Sequence, residues 1–193
     1  MARWEPDARG RLRRAALELY GERGFEQVTV SEIAARVGLT ERTFFRHFAD
    51  KREVLFGSSA ALRQAIVDEL DTLPDSTPPI EAAVAAMKAA GVLLAGDDER
   101  ARLRHSVIVA TPELRERELI KLADFAAAIA DGLREREVAE PEASLAAEAC
   151  VAAFKVAYTR WLGGDEGPGL TDLGSLIDAS VDGLAAALAG RTA

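Results

Sequence analysis

The 193-residue chain has one cysteine and two histidines. A lone Cys150 excludes an intramolecular disulfide framework, and so little Cys and His leaves no metal-binding spacing. No apolar run approaches the roughly 20 residues that span a bilayer. The N-terminal "MARWEPDARGR" has no apolar stretch of the signal-peptide kind. Gly-rich phosphate loops and nucleophile elbows are missing as well, so few catalytic constellations can be built. No catalytic residue, metal, cofactor or membrane partner is expected. The protein reads as soluble and cytoplasmic, and an enzyme is the weakest of the functional classes.

Basic charge is also short. The net charge is −8, which by itself disfavours a nucleic-acid partner. The distribution is uneven: residues 1–56 hold 11 Lys+Arg against 9 Asp+Glu, and residues 57–193 hold 13 against 23. A slightly basic front end on an acidic body fits a nucleic-acid-binding segment. The apolar share of 49% is enough for a sizeable core.

Segments of 3.6-residue period, separated by Gly, Pro and Asp/Ser/Thr punctuation, run throughout, and none alternates with period 2. The fold class expected is all-α, with about nine helices. Leu12, Ala15, Ala16, Leu19 and Tyr20 form one stripe, ended by Gly24. Val30, Ile33, Ala34 and Val37 form a shorter one, ended by Gly38. A linking helix is expected from about Lys51 to Leu73, broken by "PDSTPP" (Pro74 to Pro79). Four more helices follow: Ile80 to Ala95, Asp98 to Ala110, Pro112 to Glu137 and Pro141 to Leu162. The loop Gly163 to Gly169 then leads to a last helix, Asp172 to Ala189.

The sharpest local signals lie between residues 29 and 56. Thr29-Val-Ser-Glu32 is a capping box, and Asp50-Lys-Arg-Glu53 repeats the device. Gly38 stands where a left-handed C-terminal residue belongs, and Thr40 can cap a third helix, Glu41 to Phe48. A helix, a tight Gly turn and a helix make a helix-turn-helix layout. Helices so short need a shared core to be stable; the stripe of residues 12–20, with Phe25, Val28, Phe44 and Phe48, supplies one. With Phe44 and Phe48 inward, the third helix presents Glu41, Arg42, Thr43, Arg46 and His47 outward. Its first turn is the part of a recognition helix that meets base edges: Arg42 suits a guanine edge, Thr43 a thymine methyl or a phosphate. Lys51 and Thr29, at helix starts, are placed to hold phosphates.

The stretch "GFEQVTVSEIAARVGLTERTFFRHFADKREVLF" (Gly24 to Phe56) resembles the DNA-binding domain of the TetR family of bacterial transcriptional regulators. It departs at Phe45, where the family often has a Tyr whose hydroxyl meets a phosphate; Phe45 keeps only packing against the backbone. The resemblance implies a DNA-facing set of Thr29, Thr40, Arg42, Thr43, Phe45, Arg46, His47 and Lys51. A basic arm of Arg3, Arg9, Arg11, Arg13 and Arg14 either reaches the DNA or is a solvated first turn. The domains expected are 1–56 for DNA binding, with the linking helix running on to about 73, and 57–193 for ligand binding and dimerisation.

The resemblance further implies a homodimer on palindromic double-stranded operator DNA, released by a small-molecule effector of unknown identity. Candidate effector contacts on the central helices are Met87, His105, Ile108, Phe125, Ile129 and Tyr158, each also readable as plain core. His105, beside Arg102 and Arg104, either orients a polar ligand or belongs to a solvated basic face. Cys150 is expected in the core. The last two helices carry the expected dimer face: Ala149, Ala152, Val156, Ile177, Ala179, Gly183, Leu184 and Ala187. The alternative is a helical interaction module without DNA binding.

Overall fold

The computed structural model describes residues 7–94, 98–164 and 172–190. Arg3 and most of the loop expected at Gly163 to Gly169 lie outside these residues. Within them the chain is all-α. Ten helices form: α1 (Ala8–Arg23), α2 (Val30–Arg36), α3 (Glu41–His47), α4 (Glu53–Phe56), α5 (Ser59–Thr72), α6 (Pro79–Leu94), α7 (Asp98–Ala110), α8 (Pro112–Glu135), α9 (Glu142–Gly163) and α10 (Leu173–Ala189).

The linking helix expected from Lys51 to Leu73 is two helices, α4 and α5, parted at Gly57 and Ser58. Glycine is a poor helix former, and here its carbonyl is taken by a side chain: the Arg9 guanidinium donates to Gly57 O at 3.0 Å. This break raises the count from about nine to ten.

Two compact units form. The first takes residues to Ser58 together with Glu99–Glu118, and the second takes Ser59–Asp98 and the residues from Leu119 onward. Two domains divided only at 56/57 were expected, so the added segment is the difference. Its cause is apolar: Val107, Ile108 and Leu114 join the core of Leu12, Tyr20, Phe25, Ile33, Phe44, Phe48 and Phe56. A fully buried Phe side chain is worth roughly 1.5–3 kcal/mol. In this core Phe44, Phe48 and Phe56 are 0%, 2% and 1% exposed.

The second unit packs α5, α6, α9 and α10 around small residues. Ala82, Ala83, Ala86 and Ala90 of α6, with Ala143, Ala147 and Ala157 of α9, are buried. Gly132 of α8 lies close to Leu70, and a Cβ there would stand 2.6 Å from Leu70 Cδ1 unless that side chain moved. Arg136 closes the end of α5, its guanidinium donating to the Leu70 and Leu73 carbonyls at 3.0 and 2.9 Å. Cys150 is core: its S–H donates to Ala83 O at 3.3 Å, and burial pushes the thiol up to about 12.

Candidate nucleic-acid interface

The turn between α2 and α3 is fixed by local chemistry. The Thr29 hydroxyl accepts from Glu32 N at 3.3 Å, and Glu32 Oε2 accepts from Thr29 N at 2.8 Å, so both halves of the capping box form. Those bonds, with the Arg23 guanidinium 2.7 Å away, hold the exposed Glu32 carboxyl at about 2, well below the usual carboxylate range. Gly38 has φ +68°, the left-handed conformation that favours glycine. Leu39 N then returns to Ala34 O at 2.9 Å. Thr40 caps α3 through Thr43 N at 3.3 Å.

These caps settle which face of α3 points out. Phe44 is buried, and its ring meets Phe45 edge-on at 5.6 Å and Phe48 at 5.3 Å. Arg42 and Arg46 are exposed, as are Glu41 and Phe45, the last at 54%. Thr43 is half-buried, its hydroxyl 3.1 Å from that of Thr40. Thr29 and Thr40 are exposed at their helix starts. His47 is half-buried, and its Nε2 is shielded without a hydrogen-bond partner. Six of the eight expected DNA-facing residues therefore present an exposed or reachable side chain on one helix-turn-helix, and His47 does so only in part.

Lys51 is the exception. Its ammonium donates to the carbonyls of Phe25 at 3.0 Å, Val28 at 3.3 Å and Glu26 at 3.5 Å, and lies 4.2 Å from the centre of the Phe25 ring. An ammonium has three donors, and all three point into the protein. These bonds tie down the loop ahead of α2. The Lys51 carbonyl accepts from the Tyr20 hydroxyl at 2.8 Å, and burial, helped by the Asp50 charge, raises that phenol's pKa. The basic arm is also committed in part, for Arg9 lies 5.5 Å from the Phe48 ring centre besides bonding Gly57.

Sequence reasoning missed a set of arginines around α4. Asp50 accepts from Arg52 N and Glu53 N at 2.8 and 2.9 Å, just ahead of α4. The Glu53 side chain does not reach back to complete a second capping box; it accepts from Arg117 at 2.6 Å. Arg52 pairs with Glu113. Arg104 donates to Leu55 O at 2.8 Å and to Glu118 at 3.1 and 2.7 Å. The Phe56 ring lies 5.2 Å from the Arg104 guanidinium and 5.6 Å from that of Arg117. No short-range pattern announces the grip of Arg104 on Leu55 or of Arg117 on Glu53, because these partners are 49 and 64 residues apart.

The six candidate effector contacts are divided between the two units. His105 lies in the first unit and is half-exposed, its pKa lowered by burial and by Arg104, with Glu118 opposing. Ile108 is in the first unit's core. Met87, Phe125, Ile129 and Tyr158 are buried in the second, where Tyr158 stacks on Phe154 at 5.6 Å. None of the six lines the groove of about 650 Å³ on the second unit.

Of the expected dimer face, Ala152, Val156, Gly183 and Ala187 are exposed and Ala149, Ala179 and Leu184 are half-exposed. Ile177 is 0% exposed. It packs toward Gly91 inside its own protomer, so a second copy has no access to it. Leu145 and Leu188, on the same stripes, are 65% and 56% exposed. The other stripe of α9, with Val151, Phe154 and Trp161, is covered by the protomer itself.

A family model described as bacterial regulatory proteins, tetR family, matches residues 12–57, and one described as the MftR C-terminal domain matches residues 77–189. The chain is 41% identical over 81 residues to the HTH-type transcriptional regulator TcmR of Streptomyces glaucescens, a match covering 42% of this chain but only 36% of that relative. MftR of Mycobacterium tuberculosis, named for mycofactocin biosynthesis, is 29% identical over 173 residues, covering 88% of this chain and 87% of its own. Among solved structures, the Thermus thermophilus FadR repressor in complex with lauroyl-CoA aligns with a TM-score of 0.53 at 25% identity, covering 90% and 91% of the two chains.

Proposed function

The chain belongs to the TetR family of bacterial regulatory proteins, and on that premise we propose that it represses transcription as a homodimer on a palindromic operator and leaves the DNA when a small-molecule effector binds. Its class is that of a DNA-binding transcriptional regulator and not an enzyme. The observation that carries the proposal is the capped α3, which exposes Arg42, Phe45 and Arg46 from a buried Phe44 and Phe48. Arg42 reads a guanine edge from the first turn, Thr43 and Arg46 flank it, and Thr29 and Thr40 meet phosphates. A DNA partner places the protein in the cytoplasm.

Dimerisation is supported by the apolar stripe of α9, exposed at Leu145, Ala152 and Val156 and half-exposed at Ala149, and by the apolar end of α10. Two copies of these helices make a two-fold, self-complementary face, and the pair spaces two recognition helices about 34–36 Å apart. The effector step draws on α4. Arg104, Arg117 and Glu113 grip that helix from α7 and α8, so an effector that moves α7 carries α4 and the reading head with it. The effector must prefer the released arrangement for this to work. The similar FadR, a repressor in complex with lauroyl-CoA, supports the reading as a ligand-responsive repressor.

A helical interaction module without DNA binding is the alternative, and the withdrawal of Lys51 favours it. Sequencing the genomic fragments that the immobilised protein retains decides between them. A palindrome shared among the fragments supports the repressor. Retention of no fragment at low salt contradicts it.

A further inference from the structure

On the second unit, α5, α6 and α10 leave an open groove of about 650 Å³. Its apolar lining is aliphatic, from Ile80, Val84, Ala85, Ala89 and Val181 with the exposed Val92. Its rim is anionic, with Glu69, Glu81, Asp178 and Asp182. Among the described residues Lys88 is the one cation lining it, and its Nζ is 2.7 Å from Asp178. Glu69, Glu81 and Asp182 have no cation in ion-pair distance among the described residues, so the groove holds an excess of negative charge around an apolar surface.

Each half of this arrangement alone is ordinary. Carboxylates with no apolar lining are a solvated face, and an apolar lining with no charge takes any hydrophobe. Together they select by charge among hydrophobic molecules. The volume is within the roughly 300–1,000 Å³ of small-molecule sites. An anionic amphiphile meets three unpaired carboxylates, whereas a cation gains from each of them at short range and loses that gain as salt rises. Lys88 already occupies Asp178, so the free charge lies on the Glu69, Glu81 and Asp182 sides.

We propose that this groove binds a bulky organic cation with an apolar body. The proposal concerns binding alone and stands whether or not operator DNA is released.

The test uses the full chain and two probes of one shape and opposite charge, tetraphenylphosphonium and tetraphenylborate, titrated by calorimetry. The phosphonium is expected to bind at least 10-fold more tightly than the borate, and to weaken as salt is added. Replacing Glu69→Gln, Glu81→Gln and Asp182→Asn together should lower phosphonium affinity at least 10-fold. These side chains line an open groove, so folding survives, and an unaltered far-UV dichroism spectrum checks that. Ala85→Trp, which fills the apolar part while leaving the rim intact, should also weaken the phosphonium. Equal affinity for the two probes overturns the proposal. So does no loss of phosphonium binding in the triple variant, or no phosphonium binding at all, as when a second copy covers the groove.

Discussion

The Lys51 ammonium stands 4.2 Å from the centre of the Phe25 ring and donates to the Phe25 carbonyl at 3.0 Å. One side chain thus joins the start of α4 to the loop that carries α2, through two more carbonyls at Glu26 and Val28. Lys51→Met keeps the stem and removes the donors. Stability should fall by about 1.5–3 kcal/mol, the scale for hydrogen bonds made by a charged group. The slope of log affinity for DNA against log salt should stay unchanged, because no phosphate contact is lost. A slope reduced by about one unit at unchanged stability would restore the phosphate clamp.

Phe44 and Phe45 are adjacent and play opposite parts. Phe44 is fully buried, and Phe45 is 54% exposed. Phe44→Ala should cost about 3–5 kcal/mol and unfold the first unit. Phe45→Ala should stay within about 0.5 kcal/mol of the wild type while weakening DNA binding. Phe45→Tyr restores the hydroxyl common in the family and should tighten binding to all duplexes several-fold. Urea unfolding and duplex titrations on the three variants check both halves.

The capping box gives an acid dependence with a definite sign. The folded Glu32 carboxyl titrates at about 2, below its ordinary 4.5. A depressed carboxylate stabilises the fold at pH above the unfolded value, and the contribution fades as pH falls toward the folded one. Wild type and Glu32→Ala should differ in urea midpoint at pH 7, and the gap should narrow steadily between pH 4.5 and 2. A gap that persists unchanged at pH 2 contradicts the assignment.

Leu145 and Val156 are 65% and 55% exposed on one stripe of α9. Placing Glu at both should leave the protomer folded and yield monomers in sedimentation, since a charge buried at an interface without a partner is costly. Dimers of undiminished strength would move the interface elsewhere.

Local chemistry was legible in the sequence. Thr29 with Glu32, Gly38 and Thr40 act within four residues of themselves, so their roles follow from spacing alone, and Phe44 and Phe48 follow from the period of α3. Contacts made across the chain were not legible. The Lys51 partners lie 23 to 26 residues back, and the grip of Arg104 and Arg117 on α4 spans 49 and 64 residues. Ile177 shows the same limit. Its place on the apolar stripe of α10 was plain, but whether its own protomer or a second copy covers it depends on how α6 packs, and Gly91 settles that. The break at Gly57 was hidden because Arg9, which takes its carbonyl, is 48 residues away.

The central claim is that the exposed first turn of α3 reads operator bases. Its most direct test is the ratio of affinities for a retained operator and a scrambled duplex, measured by fluorescence anisotropy at fixed salt for the wild type and Arg42→Ala. The account predicts that Arg42→Ala loses about 1–3 kcal/mol of that discrimination, roughly 5- to 150-fold, while binding to the scrambled duplex changes little. A ratio left unchanged by Arg42→Ala would contradict it.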